Sequence, residues 1–342
     1  MSDIVLEGVT KRFGGVAAVD GVSFRAEHGR FVVLLGPSGC GKSTLLRLIA
    51  GLEEVSDGKI FIEGRDVTAL DPTKRKLSMV FQSYALFPHL TVAENIVFGL
   101  KVRRLPAAER AARLERVAEL VGLTDRLHHK PQELSGGQRQ RVALARALVS
   151  QNSICLMDEP LSNLDAQLRQ EMRAEIRALQ RRLDMTVVYV THDQVEAMSM
   201  ADHVILLRAG RIEQAGSPAE LYAKPASTFA ARFIGTPAMN LVAVEQGMIR
   251  GSRERVLNGG AAGRVTLGIR PEHIRIANDG IAATVTNAEY HGADTVLAAR
   301  VGEESLLVRT PGELALAPGS QVRLGWEPGA VHIFDADNGR RR

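Results

Sequence analysis

Apolar and polar residues alternate through residues 1 to about 30, for example in IVLEGVTKRF and VSFRAEHGR. This period of two is typical of short antiparallel strands that bury one face. The pattern changes in FVVLLGPSGCGKSTLLRLIAGL, which begins at Phe31. Its apolar run, its glycine-rich turn and a helix beginning near Lys42 make up a strand, loop and helix unit, which indicates an α/β domain.

Two further segments have the period of amphipathic helices. One follows Pro106, a residue that a first helical turn tolerates, and the other follows Asp165. We expect the apolar stripe of the first helix to consist of Leu114, Val117, Ala118 and Val121. We expect the inner side of the second helix to consist of Leu168, Met172, Ile176, Leu179 and Leu183. The apolar segments SICLMDEP and TVVYVTH predict two more buried strands.

From about Thr236 onward, glycines recur among short alternating runs such as RVTLGIRP and QVRLGWEPG. No long helical pattern interrupts these runs, so a small all-β barrel or sandwich is predicted. A chain of 342 residues is also too long for one ordinary core. We therefore predict an α/β domain at residues 1–235 and a β domain at residues 236–342.

Composition and charge narrow the class of protein. With 45% hydrophobic and 24% charged residues, the chain has the composition of a globular protein. Its net charge of +4 is too mild to imply nucleic-acid binding. No apolar run is long enough to span a membrane, and the N-terminal segment lacks the features of a signal peptide. Since Cys40 and Cys155 are too few for a disulfide framework, we expect a protein of the cytosol.

The segment GPSGCGKST matches a phosphate-binding loop and lies between a predicted strand and a predicted helix, as that motif requires. Glycine lets the backbone turn so that successive N–H groups face one anion. Lys42 is expected to reach the β- and γ-phosphates, and Ser43 to bind Mg²⁺. The expected nucleotide-binding residues of this loop are Gly36, Pro37, Ser38, Gly39, Cys40, Gly41, Lys42, Ser43 and Thr44.

Two adjacent carboxylates, Asp158 and Glu159, end the strand predicted in ICLMDEP. Neighbouring strand residues point to opposite sides, so the two groups can hold separate roles. We expect Asp158 to support Mg²⁺ and Glu159 to act as the general base that polarises the attacking water.

The stretch LSGGQRQRVALARAL, which begins at Leu134, has a serine and two glycines before a helix. An N-cap is the ordinary interpretation of Ser135. Gly136 and Gly137 each lower helix stability by about 1 kcal/mol, which suggests close approach by another group. A helix start with a serine hydroxyl also suits a phosphate. One arrangement that uses both phosphate sites is a head-to-tail pair, in which Ser135 of one copy covers the nucleotide held by Lys42 of the other.

Together these motifs resemble the ATP-hydrolysing subunits of ATP-binding-cassette (ABC) transporters, and the resemblance covers essentially the whole chain. LSGGQRQR matches the signature of that family, which implies ATP contacts for Ser135, Gly136, Gly137 and Gln138. The implied α/β fold is a P-loop NTPase cassette with a mixed sheet, an antiparallel β subdomain and a helical subdomain, followed by an OB-like β domain. The implied cofactors are ATP and Mg²⁺.

Four further residues receive roles from the resemblance alone. Phe13 corresponds to the aromatic residue on which adenine stacks, although its residue type by itself suggests a core position. Gln82 matches the glutamine that contacts Mg²⁺ and water and reports the nucleotide state to the membrane partner. His192 matches the histidine that contacts the γ-phosphate. Asp165, which ends SNLD, matches a loop that crosses the dimer interface.

The resemblance also implies partners and a location. The chain is expected to form a homodimer on two transmembrane permease subunits, peripheral to the cytoplasmic face of the inner membrane. An extracytoplasmic solute-binding protein would act indirectly, and a regulator could bind the C-terminal domain. The permease contact is expected to include Tyr84, Leu86, Phe87 and Pro88.

The segments FIGTPAMN and LGIRPEHI resemble importers of the maltose and glycerol-phosphate type, and EYHGADTVL resembles the sn-glycerol-3-phosphate importers most. Maltose, other oligosaccharides and polyamines remain alternative solutes. A DNA-repair ATPase would carry a long heptad coiled coil between its phosphate loop and its signature. A translation-associated ATPase would carry two cassettes. Neither pattern is present, so no nucleic-acid partner is expected.

Overall fold

The computed structural model describes residues 3–257 and 264–342. Residues 1–2, at the start of the predicted N-terminal strands, and residues 258–263, in the predicted β domain, lie outside the described residues. The chain divides into two compact units, Met1–Pro218 and Ala219–Arg342.

The first unit begins with antiparallel strands and continues with strands separated by helices. Its strands are β1 (Ile4–Phe13), β2 (Val16–Ala26), β3 (Phe31–Leu35), β4 (Asp57–Ile62), β5 (Arg65–Asp66), β6 (Ser78–Val80), β7 (Ile154–Asp158), β8 (Thr186–Val190), β9 (His203–Arg208) and β10 (Arg211–Gly216). Its helices are α1 (Lys42–Ala50), α2 (Val92–Val102), α3 (Ala107–Leu120), α4 (Gly136–Leu148), α5 (Ala166–Arg182) and α6 (Gln194–Met200). Short 3₁₀ turns occupy Pro72–Lys74, Thr124–Arg126 and Pro131–Glu133.

Six strands form a mixed central sheet in the order β10-β9-β3-β8-β7-β6. All neighbouring pairs from β9 to β6 are parallel, whereas β10 pairs antiparallel with β9. Val190 pairs with Leu34 on one side and with Asp158 on the other, so these strands end nearly level. Every residue of β3, β7 and β8 is buried, which explains why their sequences are almost entirely apolar.

The alternating N-terminal pattern forms the predicted antiparallel strands, in a four-stranded sheet of order β2-β1-β4-β5. Ile4 and Leu6 of β1 belong to the same apolar cluster as Leu34 of β3 and Leu45 of α1. The two sheets therefore share one core, to which α1 also contributes.

The two predicted amphipathic helices are α3 and α5. Val117 and Ala118 of α3 are buried, as is Val121, which caps the helix. The prediction that Leu183 lies on the inner side of α5 is wrong, because this side chain is 41% exposed. The helix ends at Arg182, so the residue after it no longer follows the helical period.

A buried arginine joins the end of α1 to the loop after β5. Nη1 of Arg75 donates to the carbonyls of Leu48 and Ile49. Its Nε and Nη2 donate to the carbonyls of Leu70 and Thr68. The last carbonyls of a helix have no partner within that helix. The guanidinium therefore satisfies the end of α1 and fixes it against this loop.

The second unit is mainly β. Its elements are α7 (Pro218–Ala223), which begins at the division, α8 (Thr228–Phe233), β11 (Asn240–Glu245), β12 (Met248–Ile249), β13 (Arg264–Ile269), β14 (Arg275–Tyr290), β15 (Asp294–Val301), β16 (Glu304–Pro311), β17 (Gln321–Gly325) and β18 (Val331–Asp335), with 3₁₀ turns at Pro271–His273 and Pro328–Ala330. Two antiparallel sheets, β12-β11-β13-β18 and β16-β15-β14-β17, share one apolar core, which confirms the predicted β domain.

Of the helices in the described residues, none combines the length and apolar character needed to cross a bilayer.

The segment 219–235 belongs to the second compact unit. Arg270, which is 1% exposed, donates to the carbonyls of Tyr222, Ala231 and Ile234. Its guanidinium also lies 3.9 Å from the centroid of the Tyr222 ring. These contacts attach α7 and α8 to the β domain. The compact units thus divide before this segment, whereas the boundary predicted from the sequence follows it and stays a prediction.

His332 on β18 is expected to make the second unit sensitive to acid. Burial of the imidazole, with Arg341 and Arg270 nearby, lowers the pKa of His332 from 6.5 to about 4. In the unfolded chain the pKa of the imidazole is about 6.5. Between pH 6.5 and pH 4 the unfolded chain therefore binds a proton that the folded chain does not, so lowering the pH favours unfolding. Its contribution to stability is complete above pH 6.5 and is lost as the pH falls toward 4. We expect the free energy of unfolding of this unit to fall by up to about 3 kcal/mol over that window.

Urea unfolding at a series of pH values across that window measures this slope. His332→Gln should flatten the slope, because the substituted side chain does not titrate. His291→Gln, which changes an exposed histidine of the same unit, should leave it unchanged. Equal slopes in His332→Gln and the unsubstituted protein would contradict the prediction.

Candidate functional site

Four loops meet at the carboxyl edge of the central sheet. They follow β3, β6, β7 and β8 and carry the phosphate-binding loop, Gln82, Glu159 and His192. Because the four strands are parallel and end nearly level, residues that are far apart in the sequence converge there. This edge is where open α/β sheets bind ligands.

The phosphate-binding loop depends on glycine at two positions. Gly36 has a φ of 150°, and a Cβ there would lie 2.3 Å from the carbonyl oxygen of Leu207. Gly41 has a φ of 103°, and a Cβ there would lie 2.3 Å from the carbonyl oxygen of Ala18. Both contacts are with backbone, so neither position admits a larger residue. The loop leads directly into α1, which begins at Lys42 as predicted, and a helix start of this kind favours anions.

Lys42 is buried inside this loop, with an exposure of 5%. Its Nζ donates to the carbonyls of Gly36 and Pro37, both at 2.9 Å, and lies 3.9 Å from Sγ of Cys40. Neutral carbonyls solvate an ammonium group but do not cancel its charge. The loop therefore presents a fixed positive charge in a place that suits a phosphate.

Ser43 and Asp158 form a hydrogen-bonded pair of oxygen-bearing side chains beside the loop. Oγ of Ser43 donates to Oδ1 of Asp158 at 2.7 Å, and Asp158 is 6% exposed. Mg²⁺ prefers such oxygen ligands, and usually combines one or two of them with water and substrate phosphates. No cluster of three or more His, Cys, Asp or Glu side chains suited to a metal occurs within residues 3–257 and 264–342. The Ser43–Asp158 pair thus fits a magnesium ion that also binds phosphate.

Glu159 contacts a different set of groups from Asp158. Its Oε2 lies 3.2 Å from Nδ1 of His192 and accepts a hydrogen bond from Nε2 of Gln82 at 3.4 Å. The adjacent carboxylates therefore face separate partners. The expected alternation of side chains along a strand is not the cause, because β7 ends at Asp158 and Glu159 has a left-handed backbone. The structure brings Gln82, Glu159 and His192 together in one cluster.

The backbone at Glu159 is strained. Its φ of 42° lies in the left-handed region, which costs a residue with a side chain on the order of 1–2 kcal/mol. The N–H of Glu159 donates to the carbonyl of Val190 at 3.1 Å, and Oγ of Ser162 donates to the carbonyl of Glu159 at 2.9 Å. These bonds hold the strained turn and orient the carboxylate. Such strain is concentrated at functional sites.

The Gln82 loop is held by residues that the sequence patterns did not reveal. Nδ2 of Asn163 donates to the carbonyl of Gln82 at 3.0 Å. Tyr84 and Ala85 have φ values of 61° and 46°, and Arg146 of α4 donates to the carbonyls of both. These partners are backbone atoms, which leave no trace in the sequence. The one sequence feature that could have indicated a role for Arg146 was the position of an arginine among the apolar residues of VALARAL.

Ser135 is the N-cap of α4, so the ordinary interpretation of this residue is confirmed. Its Oγ accepts from the N–H of Gln138 at 3.3 Å, and Oε1 of Gln138 accepts from the N–H of Ser135 at 2.9 Å. This reciprocal pair is a capping box. It fixes the helix start on which the sequence also places a phosphate contact.

The two glycines that follow Ser135 make room for leucines of the same chain. A Cβ on Gly137 would lie 2.9 Å from Cδ1 and Cδ2 of Leu168, and a Cβ on Gly136 would lie 3.2 Å from Cδ2 of Leu164. The close approach that the glycines suggested therefore includes an intramolecular contact. Packing against these leucines joins α4 to the segment that precedes and begins α5.

Phe13 and Asp165 also lie outside the cluster of Gln82, Glu159 and His192. Phe13 is 49% exposed at the end of β1, with Nζ of Lys11 4.9 Å from its ring centroid, so a core position is wrong. Asp165 is exposed and caps α5. In the described part of the chain, no hydrogen bond or ion pair joins Ser135 or Asp165 to the phosphate-binding loop or to Glu159. One chain therefore assembles only part of the predicted site.

Comparison with known proteins identifies the family. Residues 19–162 match the model of the ABC transporter family, and residues 267–334 match that of the TOBE domain. An uncharacterised ABC transporter ATP-binding protein of Sinorhizobium fredii, y4oS, is 48% identical over all of this chain and 95% of its own length. The chain belongs to the ABC transporter family. It is an ATPase subunit of this family, as its motifs predicted.

Other relatives carry more specific names. The sn-glycerol-3-phosphate import ATP-binding protein UgpC of Cereibacter sphaeroides is 46% identical over the whole of both chains, and that of Brucella abortus is 48% identical over 100% of this chain and 99% of its own. A dimeric post-hydrolysis structure of the cassette MJ0796, bound to ADP and Pi, has a TM-score of 0.56 and 32% identity, and covers 63% of this chain and 98% of that one. The predicted cassette fold is thereby confirmed. Neither family match includes residues 163–266, where the domain boundary was predicted.

Modification of Cys40 is expected to inhibit ATP hydrolysis. Burial raises the pKa of this thiol, although Lys42 opposes the shift, so alkylation by N-ethylmaleimide should be slow and should accelerate with pH. A Cβ on Gly36 would already lie 2.8 Å from Sγ of Cys40, so the adduct has to displace the loop. We expect complete modification to lower ATPase activity by at least about tenfold.

Mass spectrometry of the modified chain, paired with ATPase assays, tests this expectation. Cys40→Ser treated in the same way should keep its activity. Cys155 should stay unmodified, because burial raises its pKa to about 12. Full activity after complete Cys40 modification would refute the prediction.

Proposed function

We propose that this chain energises the import of sn-glycerol-3-phosphate, or of a related sugar, as the ATP-hydrolysing subunit of an ABC importer. The observation that best supports its hydrolytic role is the Glu159 carboxylate, which contacts His192 and Gln82 on the same sheet edge as the Ser43–Asp158 pair. The choice of solute is supported by relatives that match over essentially their full length and are named for sn-glycerol-3-phosphate import.

Nucleotide binding is assigned to the phosphate-binding loop and its surroundings. Backbone N–H groups of residues 38–44 and the buried ammonium of Lys42 hold the β- and γ-phosphates. Ser43, Asp158 and Gln82 hold Mg²⁺, which neutralises charge on the phosphates when bound. The exposed ring of Phe13 stacks on adenine, a type of contact worth roughly 1–3 kcal/mol for bases elsewhere.

Hydrolysis is assigned to the Glu159 cluster. Glu159 accepts the proton of the attacking water as general base. His192, whose Nδ1 faces Oε2 of Glu159, orients the carboxylate and contacts the γ-phosphate. Gln82 donates to the same oxygen, positions the water and conveys the state of the nucleotide to its loop.

The complete site requires two copies in a head-to-tail pair. Ser135, Gly136, Gly137 and Gln138 of one copy cover the phosphates held by Lys42 of the other, and Asp165 lies at the interface. The dimeric cassette structure of a relative supports this arrangement. Ser135 has its own partners in the capping box of α4, which leaves this helix start fixed for a contact with a second copy. Symmetry then gives two equivalent sites.

Closure of the pair drives two transmembrane permease subunits, and hydrolysis reopens it. The chain thus acts peripherally at the cytoplasmic face of the inner membrane. An extracytoplasmic solute-binding protein delivers the solute to the permease, and the C-terminal β domain receives a regulator. The segment from Tyr84 to Pro88 after Gln82 forms part of the permease contact.

Glu159→Gln separates nucleotide binding from hydrolysis. The amide keeps the shape of the side chain but is a poor base, so hydrolysis should fall by about 10²–10⁴-fold. Affinity for Mg²⁺-ATP should change little, and the variant should accumulate as an ATP-bound dimer. Size-exclusion chromatography with light scattering measures the dimer, and ATPase assays measure turnover.

Glu115→Gln, on the exposed side of α3, provides the matched control and should behave as the unsubstituted chain does. A Glu159→Gln chain that dissociates rapidly with its ATP still intact would count against the assignment. Turnover close to that of the control would do the same.

The solute is tested on the complex as it is purified from membranes. The companions that co-purify with the chain are identified, and the complex is reconstituted in liposomes with its solute-binding protein. We expect the solute-binding protein, when it is loaded with sn-glycerol-3-phosphate, to raise ATP hydrolysis and uptake. The Glu159→Gln complex should show neither effect. Stimulation by maltose or spermidine, with no response to sn-glycerol-3-phosphate, would overturn this choice of solute.

A further inference from the structure

The loop that follows Gln82 contains two consecutive strained residues. Tyr84 has a φ of 61° and Ala85 a φ of 46°, and both carry side chains. Non-glycine residues rarely adopt this left-handed region, and two in succession are rarer still. Such a conformation persists only where surrounding contacts determine it.

The strained pair is held from α4. Nη2 of Arg146 donates to the carbonyl of Tyr84 at 2.6 Å, and Nη1 donates to the carbonyl of Ala85. The planar guanidinium fork suits two adjacent acceptors, which an ammonium group cannot match in the same way. Arg146 is half-buried, and this desolvation lowers its pKa, so the group is partly removed from water as well as hydrogen-bonded. One side chain therefore binds both strained peptides.

The second half of the loop has a separate anchor. Oδ1 of Asn95, on α2, accepts from the N–H of Phe87 at 2.8 Å. Nδ2 of Asn95 donates to the carbonyls of Phe87, Leu90 and Thr91. The side chain of Asn95 thus fixes residues 87–91, whereas the strained turn nearer to Gln82 is fixed by Arg146.

The position of Arg146 on α4 gives these bonds a further consequence. Ser135 caps the first turn of the helix, and Arg146 lies in its last turn. At 1.5 Å per residue the two residues are roughly 17 Å apart along a rigid rod. At the last turn, Oγ of Ser78 also donates to the carbonyl of Ala147 at 2.8 Å, which ties α4 to the strand that leads to Gln82.

We infer that Arg146 is a positioning residue that makes the Gln82 loop and α4 move as one body. A displacement of Gln82 is then transmitted to the helix start at Ser135, and a displacement of that helix start is transmitted to Gln82. The inference rests on the proposed function, in which Gln82 lies at one nucleotide and Ser135 at the other. It adds a mechanical connection between the two sites within each chain.

The test compares Arg146→Gln and Arg146→Lys in the full-length protein. Arg113→Gln is the matched control, because it removes an arginine of the same region that bonds a carboxylate and a helix-end carbonyl. We expect Arg146→Gln to lower kcat for ATP hydrolysis by about tenfold while KM for ATP stays within about twofold. Arg146→Lys should be intermediate, since it keeps the charge but not the fork.

A second substitution distinguishes positioning from general destabilisation. Ala85→Gly relieves the left-handed strain, because glycine adopts a positive φ without the Cβ clash. In the Arg146→Gln background, Ala85→Gly should therefore restore a substantial part of the lost kcat. A merely structural role of Arg146 would not be compensated by a glycine in this loop.

Hydrogen exchange supplies a readout that does not depend on hydrolysis. In Arg146→Gln, exchange of the amides in residues 83–86 should rise by about tenfold or more, while exchange in β7 and β8 stays unchanged. In a Glu159→Gln background, Mg²⁺-ATP should change the exchange of residues 83–86 and 135–139 together. When Arg146→Gln is added to the Glu159→Gln chain, Mg²⁺-ATP should no longer change the hydrogen exchange of one of these two segments.

The outcomes separate the inference from the proposed function. If the unsubstituted chain binds and hydrolyses no ATP, the proposed function fails, and the exchange of residues 83–86 in Arg146→Gln still decides whether Arg146 holds the loop. Unchanged kcat and unchanged exchange in Arg146→Gln would overturn the inference alone. Accelerated exchange throughout the first unit, or failure of Ala85→Gly to restore kcat, would also overturn it.

Discussion

The parallel pairing of β3, β8, β7 and β6 is the constraint on which the site depends. Register aligns Leu34, Val190 and Asp158 across three strands, so the loops that follow begin at the same level. A slip of one residue in this register would reverse the directions of the side chains and separate the groups. The full burial of these strands makes such a slip costly, because it would also rearrange the core. Packing therefore determines the geometry of the site.

Much of the cassette could be predicted because the relevant signals are local. Helix α1 begins at Lys42 and Ser135 caps α4, since both follow from short-range hydrogen bonding and glycine geometry. The burial of β7 followed from its apolar composition. Leu183 was placed wrongly because a period cannot show where a helix ends. The roles of Phe13 and Gln82 came from family resemblance, since neither residue type is informative by itself.

The contacts that could not be predicted share one chemical property. Arg75 and Arg270 are buried and Arg146 is half-buried, and all three donate to backbone carbonyls. Each satisfies acceptors that would otherwise lack partners, at a helix end, a strained turn or the attachment of α7 and α8. Because every residue has a backbone carbonyl, the types of residue in the sequence do not show which residues such an arginine will bond. The guanidinium forms several of these bonds at once, which explains why arginine rather than lysine occupies these positions.

The capping box at Ser135 bears on how two copies could associate. A serine hydroxyl has one proton and two lone pairs, and the cap uses a lone pair, because the N–H of Gln138 donates to Oγ. The proton can still rotate toward an anionic oxygen without breaking that bond. The helix start is thus preorganised for the proposed contact, and association would require no reordering of it. Threonine would preserve both capacities, whereas alanine would remove them in a single step, so the cap and the proposed phosphate contact are not separable at this position.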